Sequence, residues 1–404
     1  MKALFFTVLF PFVSVGLCDP VFADTAAPPK HSDVLQMTFI DATHGWAVER
    51  TAVEKLVLLH TMDAGKSWAD VTPQGKFPAA LQDALSSSKE NDIIEDIFLD
   101  DFFTIYALDE KRVWFAIDVG EGDKAQALIE RSVDGGAHWD ECTISLSRTY
   151  PFGFQFLDPL HGFLLGSSDP GLGSMVKKLF ATDDGGATWK EMTSPDGFGA
   201  YYTTGFGFSS RLDGWYTATY HGAPDVPVIC THDGGKTWKV QQLDLPPDFK
   251  LGYGDADEPH FFGDDKKGGL MVVHYVQHEP KENDIDAIYA THDGGSHWAL
   301  AGKSPVASRS AEKNCGYAFW NEKSGVVMTD TQLFTTTDGG ASWAKGTTSG
   351  LPQGTDIFVD NLQFIDEKNG WVLVTSNAQI DYQYGRIFKT ADGGKTWTEV
   401  SITK

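Results

Sequence analysis

The sequence predicts an all-β chain, and three observations carry that prediction. The pattern Ser/Thr-x-Asp-x-Gly-x-x-Trp occurs seven times, with its aspartates 45 to 71 residues apart. A second pattern, Phe-x-Asp-x-x-x-Gly-Trp or a degenerate form of it, precedes each copy. Short apolar, β-branched runs flank both. Two hairpins per repeat make four antiparallel strands, and a period of about fifty residues is that of a propeller blade. The expectation is a seven-bladed β-propeller, with strands A to D in each blade and the Asp pattern in each C–D turn.

The Asp pattern reads TMDAGKSW, SVDGGAHW, TDDGGATW, THDGGKTW, THDGGSHW, TTDGGASW and TADGGKTW along the chain. Its aspartates are Asp63, Asp134, Asp184, Asp233, Asp293, Asp338 and Asp392. Runs such as KLVLLH precede it and runs such as WKVQQL follow, which is a hairpin signal. Gly supplies positive φ in a tight turn, and the carboxylate and hydroxyl accept turn N–H groups. The Trp then buries its ring against a neighbouring repeat. The seven aspartates are therefore expected to be structural and not seven catalytic or metal sites.

The second pattern is clear in FIDATHGW, FLDPLHGF, FSSRLDGW and FIDEKNGW, weaker in FGDDKKGG and FWNEKSGV, and poorest in ALDEKRVW. It is expected to form the A–B turn. The blades are placed at 33–75, 98–147, 151–195, 203–245, 258–303, 315–348 and 359–404.

Ser/Thr-x-Asp-x-Gly-x-x-Trp resembles the Asp-box, or BNR, repeat of sialidases, sortilin-type receptors, xyloglucanases and photosystem II stability/assembly factors. Its coupling to Phe-x-Asp-x-x-x-Gly-Trp is most similar to the photosystem II assembly factor group, and the similarity covers nearly the whole chain after residue 23. That resemblance implies a non-catalytic binding or scaffold protein that assists assembly of a membrane complex. The group's arginine-rich patch has no counterpart in this sequence. The alternative is a sialidase-like or other glycoside hydrolase or carbohydrate-binding propeller. Sialidase chemistry implies an arginine triad, a Tyr/Glu pair, an acid Asp and an F/Y-R-I-P motif, and that motif is missing here.

The N-terminus starts MKALFFTVLFPFVSVGLCDPVFAD, with Lys2, an apolar stretch Ala3 to Leu17 and a small-x-small-like site ending at Ala23. This reads as a signal peptide over 1–23, followed by one propeller domain over 24–404, in a periplasmic or secreted protein. Acylation of Cys18 is disfavoured because Leu17 stands where a lipoprotein signal wants a small residue. The chain has 32 Lys+Arg against 56 Asp+Glu, a net charge of −24, which argues against nucleic acid and anionic membrane. The expected partner is a protein client such as a membrane-complex subunit, bound by a monomer without membrane insertion or cofactor. Cys142, Cys230 and Cys315 fall in non-adjacent blades, so no intrachain disulfide is expected.

Tight turns crowd one face, so binding residues are expected among loops on the other. Insertions there include 69–101 with a helix around LQDALSSSKEN, 166–178, 218–227, and the paired segments LPPDFKLGYGDADEPH and HYVQHEPKENDID. Blades 4 and 5 would thus gather Tyr220, His221, Tyr253, Asp255, Asp257, Glu258, His274 and His278, with His260 and Tyr275 nearby. Ligand-pair and EF-hand spacings are lacking, so ordinary loop roles are expected of these histidines and of DADE ahead of transition-metal or Ca²⁺ binding. No metal is expected.

Overall fold

The computed structural model describes residues 33–51, 55–74, 103–120, 122–168, 175–192, 201–219, 226–277, 284–307, 315–329, 331–354, 357–376 and 385–402. The proposed signal peptide, the helix around LQDALSSSKEN, and Tyr220, His221 and His278 lie outside them.

The first sheet is β1 (Asp33–Phe39), β2 (Gly45–Arg50), β3 (Leu56–Thr61) and β4 (Ala69–Asp70). The second is β5 (Phe103–Ala107), β6 (Val113–Val119), β7 (Gln126–Ser132) and β8 (Asp140–Ser145). The third is β9 (Tyr150–Phe156), β10 (Gly162–Ser167), β11 (Lys177–Thr182) and β12 (Lys190–Glu191). A nine-stranded sheet follows. It joins β13 (Tyr202–Phe208), β14 (Gly214–Thr219), β15 (Val228–Thr231) and β16 (Lys239–Val240) to β17 (Gly252–Ala256), β18 (His260–Phe262), β19 (Gly268–Gln277), β20 (Ile285–Thr291) and β21 (Ala299–Lys303). Its halves meet at a single pair, Thr219 with Asp255. The last two sheets are β22 (Gly316–Phe319), β23 (Gly325–Met328), β24 (Gln332–Thr336) and β25 (Ala344–Thr347), then β26 (Ile357–Phe364), β27 (Gly370–Ser376), β28 (Arg386–Thr390) and β29 (Thr398–Glu399).

All pairings within the sheets are antiparallel, and they join chain neighbours except for the Thr219–Asp255 contact of β14 with β17 and the pairing of β17 with β19, which also takes β18. This is the β-propeller arrangement. The segment read from sequence as a loop ahead of the fifth inner strand is itself strand over Gly252–Ala256.

Each Asp turn is built alike. In the first, Thr61 Oγ1 donates to Asp63 Oδ1 at 3.0 Å and accepts the Gly65 N–H at 2.8 Å. Asp63 in turn accepts Ser67 N–H at 2.9 Å and Ser67 Oγ at 2.7 Å. The hydroxyl-to-carboxylate bond recurs at Asp134, Asp184, Asp233, Asp293, Asp338 and Asp392, so all seven carboxylates are occupied within their own turns. The second pattern is capped by its own Asp: Asp41 Oδ1 accepts Thr43 and His44 N–H at 2.7 and 2.8 Å. Asn321 takes over this role in the weaker copy FWNEKSGV, and Ser210 does so in FSSRLDGW, where it stands at the Asp position.

The Phe, Gly and Trp of that pattern form a stacking device between sheets. A Cβ on Gly45 would lie 2.4 Å from the Phe39 ring, so glycine makes room for the ring of its own sheet. That ring then stacks on the Trp position of the preceding sheet: Phe156 on Trp114 at 3.5 Å and Phe208 on Phe163 at 3.6 Å. Phe39 stacks on Trp371 at 4.0 Å, which closes the last sheet onto the first. Val34 N–H donating to Gly385 O at 3.0 Å completes the closure.

The inner strands are also stitched by side chains. Gln36 reaches Phe103 O, Tyr106 reaches Phe156 O, Gln155 brackets the Phe208 backbone, Thr204 reaches Ala256 O, and Gln363 accepts Phe39 N–H. Cys142, Cys230 and Cys315 are free thiols.

Candidate functional site: the acidic central channel

The inner strands enclose a cavity of about 590 Å³ with a contiguous one of about 450 Å³, both lined by Glu258, His260, Asp360, Asn361 and Gln363. Tyr106 and Phe152 line the larger, and Asp257 and Tyr317 the smaller.

Two irregularities of inner strands aim the carboxylates. In the fifth unit, pairing with β19 runs to Ala256 opposite Val273 and resumes at His260 opposite Leu270. Three residues thus oppose two, which is a β-bulge, and a bulge re-aims side chains. It carries Asp257, Glu258 and Pro259. The neighbouring strand β13 is shaped to it: a Cβ on Gly205 would meet Glu258 Cβ at 2.6 Å, and one on Gly207 would meet Pro259 O at 2.7 Å. In β26 the register shifts between Val359 and Asn361, and Asp360 is the extra residue.

Behind the bulge lies an ion-paired relay. His274 Nε2 is 2.9 Å from Asp257 Oδ2, and His274 Nδ1 is 2.9 Å from Asp286 Oδ1. Tyr317 OH donates to Asp286 Oδ2 at 2.5 Å and so ties the relay to the next inner strand. Burial alone would drive the imidazole down, but Asp257 and Asp286 outweigh it and hold His274 protonated, up to about 10. Asp286 is buried, while Asp257 is half-exposed toward the channel. The Glu258 side chain is half-exposed into the channel, yet the loss of bulk water between the channel walls pushes its carboxyl up; the His260 ring opposes this and Asp257 adds to it. Desolvation inside the channel likewise raises Asp360, whose side chain is exposed to the channel space.

The expected site residues divide. Asp257 and Glu258 face the channel, with His260 beside Glu258 at 3.7 Å. Asp255 is fully buried at the junction of β14 and β17. His274 is buried in β19 as the centre of the relay, and Tyr275 is buried with its hydroxyl 2.7 Å from that of Tyr289. Tyr253 is half-buried in β17 opposite Val276. Of the expected residues that are described, Asp257, Glu258 and His260 line the channel, while Asp255, His274 and Tyr275 are buried within the sheet. Asp360, Asp286 and Tyr106 were not singled out from sequence. The signal available was a lone Asp inside the apolar strand IFVDNLQF.

Among the described residues no three His, Cys, Asp or Glu side chains converge as a metal site. Every described arginine at 50, 112, 131, 148, 211 and 386 is paired with a carboxylate: Arg50 with Asp33, Arg112 with Asp109, Arg131 with Asp140, Arg148 with Asp123, Arg211 with Asp183 and Arg386 with Glu399. An arginine clamp for a substrate carboxylate cannot be assembled from them without breaking these pairs.

No family model matches the sequence. A curated relative, the photosystem II assembly lipoprotein Ycf48 of a Synechococcus species, is 29% identical over 154 residues, which is 38% of this chain and 37% of the relative. The match therefore spans little more than a third of the length of that protein. Among solved structures, Ycf48 bound to a D1 peptide superposes with a TM-score of 0.52 at 16% identity, over 90% of this chain and 94% of that one. A xyloglucanase of Xanthomonas campestris superposes with a TM-score of 0.51 at 16% identity, over 93% of this chain and 55% of that one. A polysaccharide lyase acting on ulvan gives 0.54 at 12% identity, over 92% and 97%. These superpositions share the propeller fold and carry nothing about chemistry.

Proposed function

We propose that this chain is a non-catalytic propeller of seven blades that binds a polypeptide client and assists assembly or stability of a membrane complex. The observation that carries the reading is the sequence match to Ycf48, which is named as an assembly lipoprotein and has a structure with a bound peptide. In the same reading the Asp turns are Asp boxes, residues 1–23 are a cleaved export signal, and the mature protein is a periplasmic or secreted monomer. The client is a protein subunit of an envelope complex. The paired arginines weigh against the sialidase alternative, and the aromatic and polar channel suits a peptide segment.

The test is affinity purification of the tagged protein from solubilised envelopes, with identification and reciprocal tagging of whatever co-purifies. The reading expects one membrane-complex subunit, recovered in both directions. Turnover of a glycoside or polysaccharide by the purified chain, lost on a single carboxylate change, would overturn it.

A further inference from the structure

We infer that the channel cavity is a receptor for a cationic side chain, lysine or arginine, projecting from the bound polypeptide. The inference rests on the reading that the chain binds a polypeptide, and it names the chemistry recognised.

Three carboxylates on two inner strands face one continuous space: Asp257 and Glu258 from the fifth unit, Asp360 from the last. Asp257 has a buried counter-ion in His274, which it shares with Asp286. Glu258 and Asp360 stand on different inner strands, and among the described residues Lys266 is the one lysine or arginine that lines either cavity. Among the described residues the ion-pair partner of Glu258 is the His260 ring at 3.7 Å, and no lysine or arginine, Lys266 included, lies within ion-pairing distance of Glu258 or Asp360. A bound cation removes the repulsion and desolvation that these positions otherwise carry.

The remaining lining selects the kind of cation. Tyr106 and Phe152 give aromatic faces, while Asn361 and Gln363 give amide groups. Aromatic faces attract an organic cation and cover its aliphatic stem. A bare metal ion needs several converging ligands, and no such group occurs among the described residues. The cavities, about 590 and 450 Å³, exceed the space one side chain fills, so backbone on either side can enter with it. The bulge is a built feature: Gly205 and Gly207 leave the space that Glu258 and Pro259 occupy.

The probe is a fluorescein-labelled nonapeptide of Gly, Ser and Ala with one central arginine. Its control carries citrulline there, which keeps the shape and removes the charge. Binding is read by anisotropy at low and high salt. The arginine peptide is expected to bind at least about tenfold more tightly than the citrulline peptide, since truncating one partner of a desolvated charge pair commonly costs that much or more. Glu258→Gln and Asp360→Asn should each lose about tenfold, and the pair should fall to the citrulline level. Glu191→Gln with Glu399→Gln, on exposed outer strands, should bind as wild type, which separates the channel from the overall acidic charge. Circular dichroism melting confirms that each variant is folded.

Equal affinity for the two peptides, no binding of the arginine peptide, or an equal loss from the outer-strand variant overturns the inference. These results are distinct from failure of the client reading. If purification finds no membrane-complex subunit while the peptide behaves as expected, only that reading fails. If a client is captured equally by wild type and the channel double variant, only this inference fails.

Discussion

Phe39 lies flat on Trp371, ring centroids 4.0 Å apart and planes within 7°. The contact joins the first inner strand to the last sheet, and among the described residues the ring closes through this aromatic stack with no strand exchanged between the two sheets. Phe39→Ala removes a buried ring from this stack and leaves the space above Gly45 empty. It should destabilise the fold by roughly 3–5 kcal/mol, as large-to-small aromatic changes do. Urea unfolding followed by tryptophan fluorescence measures this. A loss below about 1 kcal/mol would show that closure lies elsewhere, since that is the cost of a minor surface change.

Trp46 lacks such a Phe partner because the second sheet has Ala107 at that position. His60 covers it instead, stacked at 3.9 Å and 6°. Burial, with a smaller push from His44, lowers His60 from 6.5 to about 4, against the Gly135 backbone contact. A histidine with a depressed folded value folds best when neutral. Its contribution is present above 6.5 and is lost as pH falls toward about 4. His60→Phe should therefore flatten the acid limb of a urea midpoint against pH profile between these values. An unchanged limb would assign the acid sensitivity to other groups.

His274 works in the opposite sense. Its folded value is raised from 6.5 to about 10 by Asp257 and Asp286 despite burial. The stabilisation is fully present below 6.5 and is lost as pH rises through about 10. Tyr317 and the channel-facing Glu258 border the same relay, so His274→Gln must be compared with wild type across the whole range. The variant should be less stable near pH 6, with the difference shrinking toward pH 10. A pH-independent difference would mean that His274 contributes by packing alone.

The Asp turns make a separate prediction. Thr231 is buried; its hydroxyl donates to Asp233 Oδ1 at 2.9 Å and accepts Gly235 N–H at 2.9 Å. Thr231→Val keeps the shape and orphans that N–H, at a cost of about 1–3 kcal/mol. Peptide binding by the folded variant should be unchanged. Lost binding without lost stability would place a site at the turn face.

Much of the fold was legible because it is written locally and repeated. The seven Asp turns satisfy themselves within eight residues, so each copy reports its own structure. The Phe, Gly and Trp positions were legible as a motif, but their partners were not, because Phe39 stacks on a residue from the far end of the chain. The site was half legible. Asp257 and Glu258 were singled out as loop residues. Their channel position depends on one extra residue opposite β19, which shifts the inward-outward alternation without changing composition. Asp255 and His274 read as loop residues for the same reason, since an acidic and a histidine side chain hide a strand when their burial rests on cross-strand partners. Asp360 was missed because a single Asp in an apolar strand has no sequence partner; its neighbours come from another sheet.

The central claim is that a polypeptide client enters the channel, and a site-specific photocrosslinker reports this directly. Benzoylphenylalanine is placed at Tyr106 in the channel, at Leu212 on an A–B turn and at Val240 on an outer strand, and cells of the source organism are irradiated. The account predicts one dominant covalent adduct from Tyr106, to a single polypeptide that belongs to a membrane complex, and none from Val240. An adduct formed from Leu212 or Val240 with none from Tyr106 would contradict it.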